Sequence, residues 1–152
     1  FNAIPTPLEH WHYETFNGLK ADDPTFKDFK LTFRTDLNGR VAWVSGLFEP
    51  TLEEIVFRKK PDARLSDPAY LQRFLGTYEL MGQAITVALK GNALAMSAAG
   101  QGEAVLEPDL GGEFVMKDTR AVSIRFVEGP DGKVMAMELI QPGGIFEAKK
   151  TK

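Results

Sequence analysis

Glycine and proline, 14 and 9 of the 152 residues, recur at short intervals and break the chain into pieces too short for long helices. The pieces between them run four to nine residues and alternate apolar with polar side chains, the signature of half-buried β-strands. From Asp28 to Asp36, Phe29, Leu31 and Phe33 face one way while Lys30, Thr32 and Arg34 face the other. Asp36-Leu37-Asn38-Gly39 then reads as a hairpin turn, because Asn and Gly accept the positive φ of tight turns. The chain returns through Val41, Trp43 and Leu47, and a further strand carries Ile55, Phe57 and Lys59.

A single short helix interrupts the strands. Asp67 suits an N-cap, Pro68 the first helical position and Gly76 a C-cap, with Leu71, Phe74 and Leu75 as the buried stripe. Eight strands are predicted after it: Thr77–Leu80, Ala84–Lys90, Ala93–Ser97, Glu103–Glu107, Glu113–Asp118, Val122–Glu128, Lys133–Ile140 and Gly144–Lys149, with a turn at Gly91-Asn92. About four precede it.

The two regions are related. Displaced by 93 positions, Phe29, Leu31 and Phe33 fall on Val122, Ile124 and Phe126, and Gly39-Arg40-Val41 falls on Gly132-Lys133-Val134. Both copies close on strands ending in lysines, Lys59-Lys60 and Lys149-Lys150. Two copies are too few for a solenoid. The pattern therefore predicts an all-β chain: one antiparallel β-barrel domain over 1–152, with a strand unit at 1–64, a linking helix at 65–76 and a main eight-strand part at 77–152.

Composition removes several classes of chemistry. There is no cysteine, so thiol catalysis, thiolate metal sites and disulfide scaffolds are excluded. A net charge of -3 argues against a nucleic-acid partner. No apolar run is long enough for a membrane helix, and Phe1-Asn2-Ala3-Ile4-Pro5 is not read as a signal peptide.

The motif search leaves few catalytic candidates. His10-Trp11-His12 places two imidazoles on one face of a regular strand, where Glu9 or Glu14 could complete a metal site. The competing expectation is that one histidine bonds a neighbouring loop and the other is exposed. No G-x-S-x-G or S-x-x-K occurs, so no nucleophilic serine is marked. Glu103, Glu107, Asp109 and Glu113 read as solvated surface, Gly100-Gln101-Gly102 lacks the third glycine of a phosphate loop, and the Asp36 turn lacks most calcium ligands. Arg58-Lys59-Lys60 and Lys149-Lys150 with Lys152 read as solvated strand ends rather than an anion site. Trp11, Tyr13, Phe16 and Trp43, with Met96, Met116, Met135 and Met137, could line the cavity of a barrel holding a small apolar ligand, although filling by side chains is favoured. Neither a catalytic residue nor a cofactor is assigned.

Several stretches together carry a resemblance. Pro7 to Phe16, Phe33 to Val41, Ile55-Val56-Phe57-Arg58-Lys59-Lys60-Pro61, Leu75 to Leu80, Ile85 to Lys90, Leu106-Glu107-Pro108, Phe114 to Asp118 and Gly144 to Ala148 follow one another in the order seen in a known family. The chain resembles the C-terminal domain of bacterial β-lactamase-like, penicillin-binding-protein-like serine hydrolases. That resemblance implies a lipocalin-like barrel without catalytic residues, an N-terminal serine hydrolase domain as its partner, and a periplasmic or secreted setting. It also implies an accessory role in stability, active-site access or assembly. An independent small-molecule-binding barrel is the alternative.

Overall fold

A computed structural model describes residues 6–19, 29–49 and 51–152, apart from the side chain of Arg120. Asp28, at the start of the first expected strand, and the segment Phe1 to Pro5 lie outside the described residues. The chain divides into two compact units, 1–59 and 60–152. The early strands form a sheet of their own instead of joining the barrel.

The first unit is a five-stranded antiparallel meander: β1 (Leu8–His12), β2 (Thr15–Gly18), β3 (Lys30–Thr35), β4 (Val41–Gly46) and β5 (Ile55–Arg58), hydrogen-bonded in that order. Alternation along β3 and β4 puts Leu31, Phe33 and Val44 on one face, joined by Phe16 from β2 and by Ile55 and Phe57 from β5. Phe16 meets Phe33 edge-on at 5.4 Å and Phe48 meets Phe57 at 5.7 Å. The opposite face carries Thr15, Thr32, Ser45, Trp43 and Arg58.

The second unit is a closed antiparallel barrel of eight strands: β6 (Gly76–Leu80), β7 (Gln83–Lys90), β8 (Ala93–Ala98), β9 (Ala104–Pro108), β10 (Phe114–Met116), β11 (Thr119–Glu128), β12 (Val134–Gln141) and β13 (Gly144–Lys150). Each strand pairs with the next in sequence, and β13 returns to β6, so this is an all-β up-and-down barrel of lipocalin-like form. The eight strands expected after the helix are all present.

The helical segment differs from expectation in both form and place. Asp67 does cap it, its carboxylate accepting from the Ala69 amide at 3.0 Å, with Pro68 at the first position. However, α1 spans only Pro68–Leu71, between 3₁₀ turns at Ala63–Ser66 and Gln72–Phe74. Leu75 is already extended, and Gly76 begins β6 instead of ending a helix. Leu65, Leu71 and Phe74 reach the barrel core, so the segment plugs the barrel instead of linking two halves of it.

The repeat extends beyond its sequence signal. Leu31 pairs with Gly46, Thr32 with Ser45, Phe33 with Val44 and Arg34 with Trp43; 93 residues on, Ile124 pairs with Leu139, Arg125 with Glu138, Phe126 with Met137 and Val127 with Ala136. Both ladders then shift register at the next residue, Thr35 and Glu128. The turn bonds repeat too: Asp36 N–H to Arg40 and Gly39 N–H to Asp36 match Gly129 N–H to Lys133 and Gly132 N–H to Gly129. Leu8, Glu9 and His10 pair with Gly18, Asn17 and Phe16 as Leu106, Glu107 and Pro108 pair with Met116, Val115 and Phe114. Strand for strand, β1–β5 corresponds to β9–β13.

Candidate functional site

The barrel interior is occupied by side chains. Tyr78, Phe114, Leu94, Leu106, Ile124 and Met137 are fully buried. Phe126 stacks on Phe74 at 4.4 Å and stands 5.8 Å from both Tyr78 and Phe114. A lipocalin-like barrel that holds a ligand keeps this volume open; here aromatic rings and aliphatic chains fill it.

One polar cluster seals the plugged end. The Tyr78 hydroxyl donates to the Phe74 carbonyl at 2.7 Å, and burial pushes its pKa upward, so it stays protonated as a donor. Lys150 Nζ donates to the Arg73 carbonyl at 3.2 Å and lies 5.6 Å from the Tyr78 ring centroid. Burial lowers the Lys150 pKa. Arg73 in turn donates to the Gly132 carbonyl at 2.9 Å and pairs with Glu128 at 2.9 Å. These contacts hold the 3₁₀ turn at Gln72–Phe74 to the ends of three strands. The Tyr78 hydroxyl and the Lys150 ammonium are both tied to backbone carbonyls, and Lys150 also borders an open groove with Lys149 and Lys152.

The histidines separate. A bulge between His10 and His12 pairs His10 with Phe16 but His12 with Thr15, and those two partners face opposite sides of the sheet. His10 packs edge-on against Phe16 at 5.5 Å, and its Nε2 lies 2.7 Å from the Tyr13 carbonyl oxygen. His12 lies against Tyr13 at 4.2 Å and Trp11 at 6.0 Å. Two residues apart on a regular strand would share a face; one extra residue undoes that. Among the described residues no three His, Asp or Glu side chains gather as a metal site would need. Tyr13 itself sits in the β1–β2 turn at a φ of +46° and is exposed.

The tryptophans lie outside the barrel. Trp11 and Trp43 both occupy the polar face of the first sheet, under Lys30 Nζ at 4.6 Å and Arg58 at 5.5 Å. Trp11 also borders an open groove of about 440 Å³ with Thr15, Lys30, Thr32 and Glu54. Of the methionines, Met96 and Met137 are core residues, Met116 packs against the core, and Met135 is exposed on the outer surface. Lys149 and Lys152 line a second open groove, of about 680 Å³, on the outer wall near Val127 and Ala136.

The acidic candidates are tied into local structure. Asp36 Oδ1 accepts from the amides of Asn38 and Arg40 at 2.9 Å each, and Oδ2 accepts from Arg40 Nε at 2.8 Å. The Arg40 amide bond foremost, with its guanidinium, holds this carboxyl below the usual range. Both Asp36 oxygens thus serve the turn and its arginine. Glu103 pairs with Lys90, and Glu113 lies 3.8 Å from Arg125, which bonds Glu138 at 2.7 Å. Gly100-Gln101-Gly102 is the β8–β9 connection, closed by Gln101 N–H to the Ala98 carbonyl.

Sequence reasoning missed the Tyr78–Lys150–Arg73 cluster. Its one sequence signal is a tyrosine on the inward register of β6, since a buried Tyr must find an acceptor for its hydroxyl. Among known proteins, no family model matches the chain and no curated sequence is significantly similar to it.

Proposed function

We propose that this chain is a non-catalytic accessory module of a β-lactamase-like serine hydrolase, working through its surface to stabilise the enzyme, shape access to its active site or support its assembly. The observation that carries the reading is the filled barrel: Tyr78, Phe74, Phe114 and Phe126 occupy the place where a binding barrel of this size would hold a ligand. What is left for recognition is the outer surface. The family resemblance suggests the partner, and the lack of S-x-x-K and G-x-S-x-G here agrees with a nucleophile supplied by that partner. The reading therefore combines a fold-level analogy with a site-level argument.

The test compares the intact parent hydrolase with a form lacking residues 1–152. Deletion is expected to lower its thermal midpoint or change kcat/KM or oligomeric state, while the isolated chain turns over no β-lactam, ester or D-amino-acid amide. An unchanged enzyme after deletion sinks the proposal. Saturable hydrolysis by the isolated chain, abolished by a point substitution within it, sinks it equally.

A further inference from the structure

The first sheet reproduces five consecutive barrel strands and lacks what closes them. In the second unit, β9 and β13 are bridged by β6–β8: β9 pairs with β8 through Leu106 and Leu94, and β13 pairs with β6 through Lys150 and Tyr78. In the first unit, β1 pairs only with β2 and β5 only with β4 among the described residues. Among the described residues the outer edges of β1 and β5 therefore carry no strand partner.

The matched faces differ in cover. Leu106, Phe114, Ile124, Met137 and Ala148 are at most 1% exposed inside the barrel. By register their counterparts are Leu8, Phe16, Leu31, Val44 and Phe57. Leu8 is 38% exposed and Phe57 40%, and the other three are only half-buried. The same alternation that builds a core in one unit leaves an apolar face partly open in the other.

We propose that β1–β5 is the closing half of a second eight-stranded barrel, completed by a three-stranded antiparallel meander, the counterpart of β6–β8, that lies before β1 in the same polypeptide. Its order in the chain follows from the match. The strands that bridge β9 and β13 precede β9, and hairpin connections keep successive strands adjacent. Its chemistry follows too: alternating strands with aliphatic or aromatic side chains on the inner face, bonded to β1 on one side and β5 on the other. A second copy of this chain is the competing occupant. This inference does not depend on the serine-hydrolase reading, because it rests on register and burial alone.

Hydrogen exchange decides it. The 152-residue chain is compared with a longer one carrying the sequence encoded upstream of Phe1. In the longer chain, outward-facing amides of β1 and β5 are expected to slow at least about tenfold, with the protein still monomeric by sedimentation. Unchanged exchange, or an upstream sequence without three alternating strands, overturns the proposal. Equal protection gained by dimerisation of the 152-residue chain overturns it in favour of the second copy. A paired substitution separates coverage from general damage. Phe57 on the inner face and Val56 on the outer face are similarly exposed here, 40% and 47%. In the longer chain Phe57→Asp is expected to depress the melting midpoint much further than Val56→Asp; equal effects refute the closed barrel.

Discussion

At single residues, the clearest demand of this fold is made by Gly76. Its φ of +141° is one that side chains rarely adopt, and a Cβ there would sit 2.0 Å from the Lys152 carbonyl oxygen. That oxygen accepts the Thr77 amide at 3.0 Å, while Thr151 N–H donates to Thr77 O at 2.8 Å, so the contact lies on the barrel seam. Gly91, at a φ of +61° with open space around it, is the natural control. Gly76→Ala is expected to cost roughly 3 kcal/mol or more in denaturant unfolding, whereas Gly91→Ala costs only about 1 kcal/mol. Equal losses would show that the seam tolerates separation. A glycine after an apolar pair reads from sequence as a helix C-cap. The real constraint on Gly76 comes from a carbonyl 76 residues away, which local pattern does not encode. The histidines fail for the opposite reason: His10 and His12 obey the strand period, but one bulge residue changes the face of the second.

Among elements, strand alternation was the strongest signal, and it located all eight barrel strands and the β3–β4 hairpin. It could not separate a barrel from a sheet, because identical alternation serves both. Closure depends on which edges meet, and here β13 meets β6 through Lys149–Glu79 and Lys150–Tyr78, pairs separated by most of the unit's sequence. The two copies of the hairpin also differ chemically in a testable way. Asp36 anchors the first turn with its own carboxylate, which takes the Arg40 amide, while Gly129 holds the matching position in the second and the Lys133 amide there donates to Asp131 at 3.1 Å. The Asp36 pKa is lowered on folding from its ordinary 3.8, chiefly by the Arg40 amide. Its contribution to stability is therefore complete above 3.8 and disappears as pH falls through the lowered folded-state value. Acid titration followed by tryptophan fluorescence reports this turn's unit, since both tryptophans, Trp11 and Trp43, lie in the first sheet. Asp36→Asn is expected to flatten that acid transition and leave the far-ultraviolet circular dichroism of the barrel unaltered. An acid transition with the same midpoint and slope in the variant would remove Asp36 from the account.

On the scale of the whole molecule, the division of burial predicts unfolding in two steps. Every buried hydrophobic side chain among the described residues falls between Leu65 and Ala148, within the second unit. The first sheet has Phe16, Leu31, Phe33 and Val44 only half-buried, and Ile55, Val56 and Phe57 exposed. Burial of apolar surface at roughly 25 cal/mol per Å² dominates the favourable side of folding, so the sheet starts with the smaller driving force. Among the described residues its two edge strands also have a partner on one side only, whereas every barrel strand is paired on both. Tryptophan fluorescence is therefore expected to report an early urea transition with a low m-value, because m follows the surface exposed. Far-ultraviolet circular dichroism is expected to show the same early loss and then a later, steeper transition of the barrel. A chain of residues 60–152 should keep only the second transition, at an unchanged midpoint. The barrel should also refold slowly, since its seam joins Tyr78 to Lys150 across most of the unit and such long-range pairing lowers folding rates. Coincident fluorescence and dichroism transitions with a single m-value would mean that the first sheet draws its stability from the barrel, and the two units would then have to be treated as one cooperative body.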